Sequence, residues 1–172
     1  GCRVYTVTVD TGLSCPNRDG TKGVGGCDYC VSSALLPKAL ASGTDVKSQL
    51  DEGIAYVRGR HKAEKFIAYF QVNTSTHAPL EELEKLFRAA LIPEVACVAV
   101  STRPDSLGDG VISLLSEIKK EKPLWVELGL QSANDATLER VNRGHTAAEF
   151  RDAVIRAAAA GIDICAHAII GL

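Results

Sequence analysis

The chain has 172 residues, 46% of them hydrophobic, which is enough to bury one core and suggests a single domain spanning residues 1–172. Nineteen basic against 21 acidic residues leave a net charge of −2, which excludes an overall field that would draw the chain onto nucleic acid or an acidic membrane. No run approaches the roughly 20 apolar residues of a membrane span, and the first residues lack the basic-then-apolar order of a secretion signal; the cytoplasm is the expected compartment, with no membrane partner.

The first β-branched, apolar run begins at Tyr5 (YTVTVD) and reads as a strand. A polar, Gly-rich loop follows, from Leu13 to about Gly43. Further strands are expected from Phe66 (FIAYFQ), Val95 (VACVAV), Leu124 (LWVELGL) and Asp163 (DICAHAIIGL). Between the second and third, Leu80, Leu83, Leu86, Phe87 and Ala90 share a helix face, with Pro79 suited to the first helical position and Glu81 and Glu82 at the positive end of the dipole. Thr146 and Glu149 have the spacing of a capping box for a helix that runs to about Ala160, where Gly161 can take the left-handed stop. One helix per interval between strands is the rhythm of βαβ units and a parallel sheet, and runs apolar throughout, such as Val95 to Val100, suit strands buried on both faces.

Polar residues gather where these strands end. Gln71, Asn73, Thr74 and Ser75 follow the second, Ser101, Thr102 and Arg103 the third, and Gln131 and Ser132 the fourth. Ligands of parallel α/β folds sit at the carboxyl ends of the strands, so one shared site is expected there. Glu127, inside the fourth strand, is costly to bury alone and needs a partner or a ligand. His167 reads as a hydrogen-bonded core residue, and Cys97 and Cys165 as small hydrophobes within apolar runs. The chain starts at Gly1, holds no Met and ends at Leu172 in an uncapped apolar run, so it is expected to be part of a longer protein.

Three of the six cysteines lie in the long loop. Cys27 and Cys30 are two residues apart, and an eleven-residue spacer with four glycines separates Cys15 from Cys27. Three soft thiolates fit an iron–sulfur cube with one iron left free of protein, and the glycines allow the backbone to approach closely. The alternative is a structural zinc site in which Cys2 joins the other three, making the chain a non-catalytic binding module. Against it, Cys2 precedes a strand whose far end leads to Cys15, and a six-residue strand spans about 20 Å.

The segments TVDTGLSCPNRDGTKGVGGCDYC, VELGLQSANDATLERVNRGHT and AHAIIGL resemble the radical S-adenosylmethionine (SAM) superfamily, and within it the YhcC-type proteins close to the elongator-acetyltransferase-like branch. The usual spacing of the first two cluster cysteines is three residues; the wide gap here matches those branches. The resemblance implies an α/β fold, a partial (β/α)6 TIM-like barrel of parallel strands with about five βα units present and its C-terminal part missing. It implies a 4Fe–4S cluster on Cys15, Cys27 and Cys30, SAM chelated to the free iron, and a small electron-donor protein of the flavodoxin or ferredoxin type. Tyr29 takes the place of a ring near the adenine. Gln71, Asn73 and Thr74 stand where relatives bind the SAM amino group with a Gly-Gly-Glu-like turn, which is absent here. Gln131 and Arg143 match a pair that contacts the SAM carboxylate. Nothing in the sequence identifies the substrate; the elongator-like relatives suggest an RNA-linked one, which the overall charge does not support and for which Arg58, Arg60, His61 and Lys62, and Lys119, Lys120 and Lys122, are the weak basic clusters.

Overall fold

The computed structural model describes residues 1–31 and 45–172. Part of the loop expected between Leu13 and Gly43 therefore lies outside the described residues. Five strands form one sheet in sequential order, β1 (Val4–Val9), β2 (Lys65–Phe70), β3 (Val95–Thr102), β4 (Leu124–Gln131) and β5 (Asp163–Ala168), and every neighbouring pair is parallel. Helices α1 (Val46–His61), α2 (Leu80–Arg88), α3 (Asp109–Glu121), α4 (Asp135–Arg140) and α5 (Ala147–Ala159) lie between them, with a 3-10 turn at Pro104–Ser106. A sheet wound in this order, with right-handed crossovers, carries its helices on one side and curves toward a barrel. This is the expected α/β architecture, the partial TIM-like barrel.

Alternation along the strands separates the two faces. Val7 and Val9, Phe66, Ala68 and Phe70, Val98 and Val100, and Leu124, Val126 and Leu128 are buried against the helices. Their partners include Leu50 and Ile54 of α1, Leu83 and Phe87 of α2, Leu115 and Ile118 of α3, and Ala153 and Ala157 of α5. Helix α1 sits so close to β1 that a Cβ at Gly53 would stand 2.4 Å from a Val7 methyl. The opposite face, which lines the concave side, carries Tyr69, Trp125, Glu127 and His167.

The local signals of the sequence are realised with small shifts. Asp45 caps α1 by accepting from Ser48 N, and Thr146 and Glu149 make both bonds of the capping box. Gly161 takes φ +73° just after α5. Helix α2 begins one residue after Pro79, and Leu80 is exposed, so the apolar stripe starts at Leu83. Cys165 and His167, expected in the core, are exposed on β5, the last of the five strands, and His167 pairs with Glu127. Cys97 is half-buried.

Candidate functional site

The cysteine loop is folded against the carboxyl ends of the strands by its own turns and by anchors from three other segments. Arg18 N and Asp19 N both donate to Cys15 O, and Cys30 N donates to Cys27 O, so each end of the spacer closes on a tight turn. Asp19 and Val24 form an antiparallel bridge within the spacer. Asn73 Nδ2 donates to Leu13 O, Asn142 Nδ2 to Gly26 O, and His77 pairs with Asp19 at 2.7 Å. The Thr21 hydrogen bonds, then His77, hold the Asp19 carboxyl down at about 2. Lys22 Nζ reaches Asp105 at 3.1 Å beyond β3 and Glu149 at 3.6 Å on α5.

A cleft of about 340 Å³ opens beneath this loop, and all nine residues singled out from the sequence line it. The loop contributes Cys15, Cys27, Tyr29 and Cys30. Gln71, Asn73 and Thr74 come from the turn after β2, Gln131 from the end of β4, and Arg143 from the turn after α4. Asn73, Gln131 and Asn142 have φ values of +56°, +67° and +54°. A left-handed glutamine costs about 1–2 kcal/mol, and it coincides with a register shift between Gly129 and Gln131 where β4 meets β5. That irregularity turns the end of β4 into the cleft.

Arg143 is buried and tightly held. Its Nη2 donates to Gly129 O at 2.9 Å, its Nε to His145 Nε2 at 2.8 Å, and its Nη1 to Cys27 Sγ at 3.6 Å. Gly129 makes room for this: a Cβ there would lie 2.5 Å from Arg143 Nη2 and 2.6 Å from Gln131 Nε2. Burial opposes ionisation of Cys27, but the hydrogen bond and charge of Arg143, with Asn17 Nδ2 donating at 3.5 Å, outweigh it and bring the thiol below its usual pKa. Burial and the Arg143 charge also keep His145 neutral to lower pH than usual. Its Nε2 accepts from Arg143, which leaves Nδ1–H facing Thr146 O.

Asn17 and His145 were not legible as site residues, and Arg103 was read only as one of three polar residues at the end of the third strand. Nor was the cluster deeper on the concave face, where Glu127 accepts from the Tyr69 hydroxyl and from Trp125 Nε1 at 3.1 Å and pairs with His167 at 2.9 Å. Burial and the Glu127 hydrogen bond push the Tyr69 phenol well above its usual pKa. Tyr69 and His167 both line the cleft. The buried charge of Glu127 thus finds the partner the sequence demanded. The only warning in the sequence was an ionisable residue inside an apolar run.

A model of the radical SAM superfamily matches residues 15–172. The chain belongs to that superfamily. It is 38% identical over its whole length to the protein YtqA of Bacillus subtilis and to YhcC of Escherichia coli, and covers 54% and 55% of them; it therefore spans about half the length of these curated relatives. Among solved structures it resembles the archaeal Methanocaldococcus infernus Elp3, with a TM-score of 0.68 over 99% of this chain and 39% of that one, at 16% identity. The superfamily implies a 4Fe–4S cluster and SAM. The residues of this radical SAM chain fit such groups on their own terms. Two buried polar atoms, Thr74 Oγ1 and Arg103 Nη1, have no hydrogen-bond partner among the described residues, while the buried Tyr29 hydroxyl lies beside Cys27, and all of these residues line the cleft. Buried polar groups are otherwise paired, so the first two await an occupant. Among the described residues no three Cys, His, Asp or Glu side chains converge on a single ion, and Cys2 lies at the far end of β1 from Cys15. A cube needs no such convergence, because each thiolate takes its own iron.

Proposed function

We propose that this chain is the cluster- and SAM-binding core of a radical SAM enzyme, with Cys15, Cys27 and Cys30 as the cluster ligands. The observation that carries this reading is the meeting of three loop thiols with two buried polar atoms, Thr74 Oγ1 and Arg103 Nη1, that have no partner among the described residues, in one cleft at the carboxyl ends of the strands. When bound, the cluster supplies one electron to SAM, whose sulfur–carbon bond to the adenosyl group breaks to give methionine and a 5′-deoxyadenosyl radical.

The residues of the chain prepare that event. Arg143 and Asn17 stabilise the Cys27 thiolate, and the rim of Arg143, with Gln131 beside it, presents guanidinium and amide donors to the SAM carboxylate. Thr74 Oγ1 and Asn73 supply acceptors for the SAM amino group, and the Tyr29 ring offers a face to the adenine. The cysteine loop covers the cleft and limits the access of water to it. A flavodoxin- or ferredoxin-type protein is the proposed electron donor. An RNA-linked substrate would have to engage the rim of the cleft. The basic clusters at Arg58–Lys62 and Lys119–Lys122 lie at the C-termini of α1 and α3, beside the amino ends of the strands and away from the cysteines.

The test is anaerobic reconstitution with iron and sulfide. About four of each per chain are expected, with loss on Ala substitution at Cys15, Cys27 or Cys30 but not at Cys2, Cys97 or Cys165. Addition of SAM should alter the electron paramagnetic resonance spectrum of the reduced cluster, and 5′-deoxyadenosine should accumulate. Tight zinc that depends on Cys2, with no iron uptake, would overturn the proposal.

A further inference from the structure

Arg103 lines the cleft with a charge that the cluster and SAM reading leaves unassigned. It is 2% exposed, at the end of β3 where the 3-10 turn begins. Asp105 grips one edge of its guanidinium with two bonds, Nε to Oδ1 at 2.9 Å and Nη2 to Oδ2 at 3.0 Å. Lys22, from the cysteine loop, holds Asp105 from the other side at 3.1 Å. The remaining nitrogen, Nη1, is buried with no acceptor among the described residues, although a buried guanidinium nitrogen is costly to leave unpaired, and Arg103 lines the cleft. A buried ion pair of this kind does not need a free edge to be stable. Cys15 and Cys27 line the same cleft. Gly144 makes room for this arrangement: a Cβ there would stand 3.3 Å from Arg103 Nη2 and 3.0 Å from Asn17 Oδ1.

We propose that Arg103 is a positioning residue for the reduction step, fixed by Asp105 so that its free edge and charge face the cluster held by Cys15 and Cys27 and favour the reduced state. The inference rests on the cluster reading above and goes beyond it by assigning a redox role to a residue outside the ligand set. Three thiolates on a cube with a 2+ core carry a net charge of −1, and the one-electron reduced form carries −2. The electron comes from the external donor and no bond changes in this step. A fixed cation nearby stabilises the more negative form, as any opposite charge does in a site shielded from water. Asp105 plays a second part, since its negative charge tempers the field of Arg103 and Lys22.

Redox titration of the anaerobically reconstituted protein, followed by electron paramagnetic resonance, tests this with three variants. Arg103→Gln should lower the ratio of reduced to oxidised cluster at a fixed solution potential about tenfold, equivalent to 59 mV for a one-electron couple. Arg103→Lys keeps the charge and should stay within about threefold of wild type, because an ammonium cannot reproduce the forked grip on Asp105. Asp105→Asn should move the potential the opposite way, upward. SAM affinity, measured on the oxidised protein, should change less than about threefold in Arg103→Gln. An unmoved potential in Arg103→Gln, or a large loss of SAM affinity at unchanged potential, overturns the role. If Arg103→Gln does not hold a cluster, the sign in Asp105→Asn decides, and no upward shift there overturns it equally. Wild-type protein that takes up no iron and sulfide would instead defeat the cluster reading itself.

Discussion

Replacing Gly129 by alanine should destabilise the protein, against the ordinary effect of that change in a strand. Glycine loses more backbone freedom on folding than alanine, so a neutral site would gain about 0.4–1 kcal/mol. Here the new methyl would stand 2.5 Å from Arg143 Nη2 and 2.6 Å from Gln131 Nε2. Distal side-chain atoms normally swing away at small cost, but Arg143 is tied at all three of its nitrogens, to Gly129 O, His145 and Cys27. Its retreat breaks at least one hydrogen bond from a charged donor, worth about 1.5–3 kcal/mol. The net expectation is a loss of about 1–2.5 kcal/mol, or about 2–10 °C in the thermal midpoint of a chain this size. Calorimetry of the metal-free protein measures it. Gly59 in α1 is the control: a Cβ there meets nothing within 4 Å, so Gly59→Ala should stabilise by about 0.5–1 kcal/mol. If both substitutions stabilise, the Gly129 cradle does not constrain Arg143 and the account of the cleft is wrong.

His145 is held neutral below its usual pKa by burial and Arg143, so the unfolded chain takes up its proton first as pH falls. Stability should therefore drop as pH passes below the ordinary histidine value, by about 1.4 kcal/mol per unit of depression, until the folded-state pKa is passed. Urea unfolding at about pH 7.5 and about pH 5.5 should give a smaller drop for His145→Gln than for wild type, and equal drops would contradict the assignment. Glu127→Ala leaves the Tyr69 hydroxyl and Trp125 Nε1 without an acceptor and should cost about 2–4 kcal/mol in urea, whereas Glu127→Gln, which keeps an accepting oxygen, should cost less. A loss below about 0.5 kcal/mol for alanine would mean that the network is not structural. Thr146→Ala removes the side-chain half of the α5 capping box, the bond accepted from Glu149 N, while the backbone bond from residue 146 to the Glu149 carboxylate stays, and it should lower stability by about 1 kcal/mol, read as a shift of the unfolding midpoint.

Much of this molecule is written in local pattern. The strands could be read because period-2 and all-apolar runs admit few other structures, and α5 because Thr146, Glu149 and Gly161 act within one helical turn of their own positions. The meeting of the three loop cysteines in one cleft could be read because their spacing is a property of the chain itself, and that of the residues after each strand because a parallel sheet brings all carboxyl ends to one edge. What the sequence by itself could not decide is which charged groups meet across that edge. Arg103 looked like one polar residue among three, and only the folded chain sets it between Asp105 and the cleft with a free edge. Glu127 and His167 lie on neighbouring strands at positions whose contact depends on the β4–β5 register and its shift at Gly129/Gln131. Cys165 and His167 were expected in the core because their run is apolar, yet both are exposed on β5, where His167 instead meets Glu127 of β4. Hydrophobic pattern reports what a residue can bury, while its neighbours are fixed by the order and register of strands far apart in the chain.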